Sequence, residues 1–160
     1  MNNLLQDLQE TLLTDIPITR HLGIKVDSYD GERLTLTAPL VQNVNHKQTA
    51  FAGSLNAVIT LAGWGLLWLI LKELDITGVI VIQDSATNYL LPVTDDFSAH
   101  CYKPDQDQIT KLKNMLKNKG KARLELKAEI REGEKIAVSF KGRYVVCLSQ
   151  HLGEEEFYHA

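Results

Sequence analysis

The 160-residue chain, with 44% hydrophobic and 23% charged side chains, has the length and make-up of one globular domain with a core of its own. Its net charge of −3 argues against the strongly basic footprint of a nucleic-acid surface. Cys101 and Cys147 stand apart from each other and from any CxxC or Cys/His ligand spacing, so free thiols in a reducing cytoplasm are expected, with no metal site.

The opening segment "MNNLLQDLQETLL" carries Leu4, Leu5, Leu8, Leu12 and Leu13 at helical spacing up to Pro17. It lacks the basic start and small-residue cleavage site of an export signal, and its acids disagree with a transit peptide. "LGIKVDSYDGERLTLTAPL" reads as a hairpin turning at Asp30-Gly31, with Ile24, Val26 and Ser28 on one face and Leu34, Leu36 and Ala38 returning.

From Ala50 to Leu71 no side chain is charged, and this run is long enough to cross a bilayer. Against a span stand Ser54, Asn56 and Thr60 in its first third, and Trp64 and Trp68 placed inside it rather than at two interfaces. A helix apolar around its whole circumference is equally the product of a sheet wrapped about it, and that alternative also gives the strands downstream a core.

Gly78 is expected to stop this helix, after which "VIVIQDSATNYLLPV" and "FSAHCYKP" read as strands ending near Pro92 and Pro104. "DQDQITKLKNMLKNKG" has Ile109, Leu112, Met115 and Leu116 at helical spacing, acids early, lysines late and Gly120 as a stop. "ARLELKAEI" alternates strictly, and after a turn at Glu132-Gly133 "KIAVSFKGRYVVCL" puts Ile136, Val138 and Phe140 on one face, with a bulge expected at Gly142. One-faced antiparallel strands and one all-apolar helix make an α+β domain, a curved sheet around that helix, over residues 1–150, leaving 151–160 as a tail.

Three stretches, "NHKQTAFAGSL", "SATNYLLPV" and "ARLELKAEIREGEKIAVSFKGRYVVCL", resemble the hot dog fold over about residues 16 to 149. More narrowly, "IPITRHLGIKV", "APLVQNVNHKQTAFAGSL" and "LAGWGLL" look like the thioesterase family whose members also form the C-terminal domain of fusions with a GNAT-type acetyltransferase; that half has no counterpart here. The resemblance implies a domain acting on acyl-CoA or acyl-carrier-protein thioesters. It also implies a dimer or dimer of dimers with the acyl-pantetheine tunnel between subunits; the departures from a membrane pattern argue against a span, and the lack of metal-ligand spacing or a nucleotide-binding motif argues against a cofactor beyond the substrate's own coenzyme A or pantetheine.

Thioester hydrolysis requires carbonyl polarisation and a placed water. The helix start supplies free amides and a positive dipole end, and the small residues Ala52 and Gly53 let the backbone approach a ligand, which makes them the oxyanion-hole candidates. By resemblance Asn45, six residues before Phe51, holds the nucleophilic water; read from the residues alone it is equally a turn-forming loop Asn, and Asn43 more so. The sequence departs from the family where relatives have His, here Phe51, and where they have the acidic base nine residues on, here Thr60, a residue that in helices commonly bonds a carbonyl one turn back. Asp84, a charge within an apolar strand, is the candidate base, its alternative being an ion pair; His46 is a second, its alternative an exposed loop side chain. Ser54 suits a helix cap, and Asn56 either a pantetheine amide, a partner subunit or its own fold. The lysines from Lys111 to Lys121 either meet phosphates or an acidic carrier, or form a solvated helix face.

Overall fold

The structure is a computed structural model and describes residues 2–149; the tail expected from residue 151 lies outside the described residues. Helix α1 (Asn2–Asp15) and the short α2 (Ile18–Leu22) precede strands β1 (Lys25–Tyr29) and β2 (Arg33–Ala38). After one 3-10 turn (Leu40–Gln42) comes the long helix α3 (Ala52–Glu73), followed by β3 (Gly78–Tyr89), β4 (Phe97–Tyr102), α4 (Gln106–Lys119), β5 (Lys121–Glu132) and β6 (Lys135–Leu148). The strands form one antiparallel sheet in the order β1-β2-β4-β5-β6-β3; α3 packs against β2 to β6, and at its last residue Glu73 accepts from the Tyr29 hydroxyl of β1.

Helix α3 is long and apolar enough to cross a membrane, but 72% of its most apolar window is buried inside the protein. Its companions are the inward-facing residues of the strands. In β5 these are Ala122, Leu124, Leu126, Ala128 and Ile130, all buried as the alternation dictates. Each fully buried Leu, Ile or Val contributes roughly 1.5–3 kcal/mol, so the wrapped helix is the main source of stability. Close packing needs small residues on α3. A Cβ on Gly63 would lie 2.2 Å from the Tyr144 hydroxyl, which donates to the Thr60 carbonyl at 2.6 Å and pins α3 to β6.

Three local expectations are corrected by irregularities that alternation does not reveal. In β1 the register shifts between Val26 and Ser28, so Tyr29 is buried and Ser28 exposed. In the β5–β6 pair a shift between Ile130 and Arg131 leaves Ile136 exposed while Ala137 and Val138 are both buried. The bulge expected at Gly142 occurs instead on the neighbouring strand, where Gln83 is the extra residue between Ile82 and Asp84. Gly142 serves packing, because a Cβ there would lie 2.7 Å from the Phe140 ring. Likewise Asp75, at φ +55, follows the helix stop, and Gly78 opens β3, a Cβ on it being 2.8 Å from the Cys147 carbonyl oxygen.

Candidate functional site

The loop leading into α3 is held by side-chain amides. Asn43 is buried, its Nδ2 donates to the carbonyls of Leu22 (2.9 Å) and Pro39 (2.7 Å), and its own carbonyl accepts from the Phe51 N–H at 2.7 Å. Asn45 closes a tight turn: its Oδ1 accepts from the N–H groups of Lys47 (2.8 Å) and Thr49 (3.3 Å), and its Nδ2 donates to the Thr49 hydroxyl (2.9 Å). The Ala50 N–H donates across to Val93 at 2.8 Å. These bonds aim the chain at the start of α3.

That start is uncapped. Phe51 sits at the cap position in an extended conformation (φ −66, ψ 131) and, among the described residues, no side chain caps the helix start. The Leu55 N–H is the first to bond back, to the Phe51 carbonyl at 3.0 Å, so helix geometry leaves the N–H groups of Ala52, Gly53 and Ser54 without helical acceptors. The Phe51 ring lies against the first turn, with Cε1 2.3 Å from where a Gly53 Cβ would be. Only glycine lets the ring rest there.

Strand β3 runs alongside. The Tyr89 hydroxyl donates to the Ala52 carbonyl at 3.2 Å, and the Thr87 hydroxyl donates to Asn56 Oδ1 at 2.7 Å. Between helix start, loop and strand end lies an open cavity of about 290 Å³ whose wall includes Asn45, Ala52, Leu55, Tyr89, Leu91 and Pro92. Its rim is apolar and exposed, with Tyr89 at 49% and Leu90 at 58%, and Phe51, next in the chain to the lining residue Ala52, is 54% exposed. An exposed apolar rim around a cavity beside an uncapped helix end makes this the candidate site.

Residues 5–148 match the model of the family described as Putative thioesterase (yiiD_Cterm). The chain belongs to this thioesterase family. A protein of unknown function from Chlorobaculum tepidum TLS is 34% identical over 92% of this chain and 96% of that chain, with a TM-score of 0.88. The putative thioesterase from Shewanella oneidensis is 33% identical over 92% and 99%, with a TM-score of 0.84. A thioesterase from Haemophilus influenzae, 17% identical over 93% and 94% with a TM-score of 0.69, shares the fold. The architecture is that of the hot dog thioesterases.

Within this family member, the structure brings Asn45, Phe51, Ala52, Gly53 and Asn56 to one end of α3. Asn45 faces the cavity, but its carboxamide is committed to its own loop. Asn43 is a loop anchor below the surface, and His46 is exposed on the turn. Ser54 is the third residue of the helix and buried, not its cap, because the helix begins three residues earlier than a Ser54 cap would require. Thr60 is half-buried two turns along, where its backbone carbonyl accepts a hydrogen bond from the Tyr144 hydroxyl.

Asp84 is not brought to this cluster. Plain alternation from Ile80 and Ile82 would point it at α3, but the extra residue Gln83 reverses the faces. Asp84 pairs with Arg143 at 3.5 Å on the outer side of the sheet, and Ser85, Thr87 and Tyr89 turn inward. Thr87 and Tyr89 are the site residues that residue patterning missed; both lie in the "SATNYLLPV" stretch, but their direction depends on the bulge. The lysine-rich α4 begins beyond Lys103, whose Nζ bonds Glu73 at 2.6 Å at the opposite end of α3. A 22-residue helix spans about 33 Å, so within one chain these lysines are remote from the cavity.

Proposed function

We propose that the protein hydrolyses an acyl thioester of coenzyme A or an acyl carrier protein at the N-terminal end of α3, in a site completed by a second copy of the chain. The observation that carries this reading is the uncapped helix end opening on a cavity in a member of a thioesterase family. The carbonyl oxygen lies against the N–H groups of Ala52 and Gly53. As water adds to the carbonyl carbon, negative charge grows on that oxygen, and the amides and helix dipole stabilise it without reorganising. Collapse of the tetrahedral intermediate breaks the C–S bond, and the proton given up by the attacking water ends, through solvent, on the leaving thiolate.

Strand β3 supports the two-copy arrangement. It is a sheet edge of 12 residues whose outer side has no partner among the described residues, and beside it runs a half-buried stripe of α3, Asn56, Thr60, Trp64 and Trp68. A long unprotected edge next to an incompletely covered helix is suited to a second subunit.

A second reading, an acyl-thioester binding domain without hydrolytic activity, is favoured by one observation: no carboxylate or imidazole is among the residues lining the cavity. Purified protein supplied with acyl-CoA and acyl-carrier thioesters of several chain lengths separates the two. Thiol release with the matching free acid, followed by mass spectrometry, supports hydrolysis; saturable binding with every thioester recovered intact supports the second reading; neither binding nor release removes both.

A further inference from the structure

The sheet has two edges, and they are finished differently. At β3 the outer side stays open among the described residues. At β1 the side chain of Gln9 occupies it: Nε2 donates to the Ile24 carbonyl at 3.2 Å, and Oε1 accepts from the Val26 N–H at 2.6 Å. One amide meeting the C=O of one residue and the N–H two residues on reproduces the pattern that the N–H and C=O of a single residue on a parallel neighbouring strand make. The intervening Lys25 pairs the other way, with Thr37 of β2.

The glutamine is held in this place by the packing around it. Leu8 and Leu12, on the same helix, are fully buried in the core, and Gly65 of α3 lies under Leu8, a Cβ there being 3.5 Å from Leu8 Cδ2. Helix α1 is thereby fixed across the edge with Gln9 aimed at the strand. From this geometry we infer that Gln9 is an edge stop. It occupies the Ile24 carbonyl and the Val26 N–H where β1 begins, so that a strand of another copy cannot start pairing there, and association through sheet edges is confined to β3. With β1 open as well, it joins a free edge of the next molecule, β3 where that edge is unpaired or another β1 where β3 already holds a second copy, and either contact strings copies together without closing on itself.

Substituting Gln9→Leu keeps the volume and helix propensity while removing both bonds. Sedimentation velocity over rising concentration is expected to give a weight-average mass at least about twofold above the wild-type plateau and still climbing, the mark of an open-ended contact. Adding Val26→Pro to that variant removes the outward N–H at an edge position where proline is tolerated, and should return the mass to the plateau. A variant that merely loosened the fold would not be restored by proline. Gln9→Glu keeps an acceptor for Val26 but faces the Ile24 carbonyl with a second oxygen, so it should show a smaller rise; if Gln9→Leu does not fold, by circular dichroism, Gln9→Glu carries the test. Folded variants that keep the wild-type plateau overturn the inference. The wild-type plateau itself, monomer or dimer, reports on the two-copy site separately.

Discussion

At the scale of single residues, the helix-end amide can be removed without disturbing the helix. Ala52 is the first helical position, where proline is favoured, and Phe51 before it already has the extended backbone that proline demands. Ala52→Pro should therefore leave the melting temperature nearly unchanged while lowering thioester turnover about 10²-fold or more, the usual loss for one oxyanion donor. Asp84→Asn tests the opposite expectation. Its partner Arg143 is a surface contact worth at most about 1 kcal/mol, and the carboxylate faces away from α3, so both turnover and melting should stay at wild-type values; a tenfold fall in turnover would return Asp84 to the site. Gly63→Ala places a methyl against the Tyr144 hydroxyl and is expected to destabilise by about 1–3 kcal/mol in urea unfolding. Types such as Asn45, Ala52 and Gly53 were recognisable as site candidates because their spacing is local. The direction of Asp84 was not, since one extra residue at Gln83 inverts every side chain after it.

Among the elements, α4 and β5 were legible because each carries its period on its face, helical spacing with acids early and Gly120 as stop in α4 and strict alternation in β5, and α3 was legible as a long run without charge. The Asp105 carboxylate accepts from the Gln108 N–H at 2.8 Å and Gly120 adopts φ +67, so both signals were physical and local. The bulges in β1, β3 and the β5–β6 pair were not legible, as they are fixed by which strand lies opposite. One element-scale prediction follows from Asn45. Replacing it by Ala removes the acceptor shared by Lys47 and Thr49, which should destabilise the loop by about 1–2 kcal/mol and speed amide exchange at both positions; Asn45→Asp, which retains the acceptor, should keep most of that protection.

For the whole molecule, burial of ionisable groups sets the response to alkali. The Cys101 thiol, fully enclosed, is pushed up to about 12 by burial, and burial also raises Tyr144 and Tyr29, the latter further by its bond to Glu73. Each group holds its proton more tightly folded than unfolded, so its stabilisation is complete below the unfolded value and declines as pH rises from about 9 toward 12. Urea midpoints measured across pH 7–11 should fall on the alkaline side, and Cys101→Ser, which moves the thiol's contribution out of that window, should flatten the fall. The amino-acid sequence by itself determined that an all-apolar helix had to be enclosed by one-faced strands, because period and hydropathy are properties of neighbouring residues. Only the tertiary structure decided which groups meet at the end of that helix, that Thr87 and Tyr89 face it while Asp84 does not, and that Gln9 closes one edge of the sheet. Those outcomes depend on strand register and on contacts between residues far apart in the chain, which no local pattern encodes.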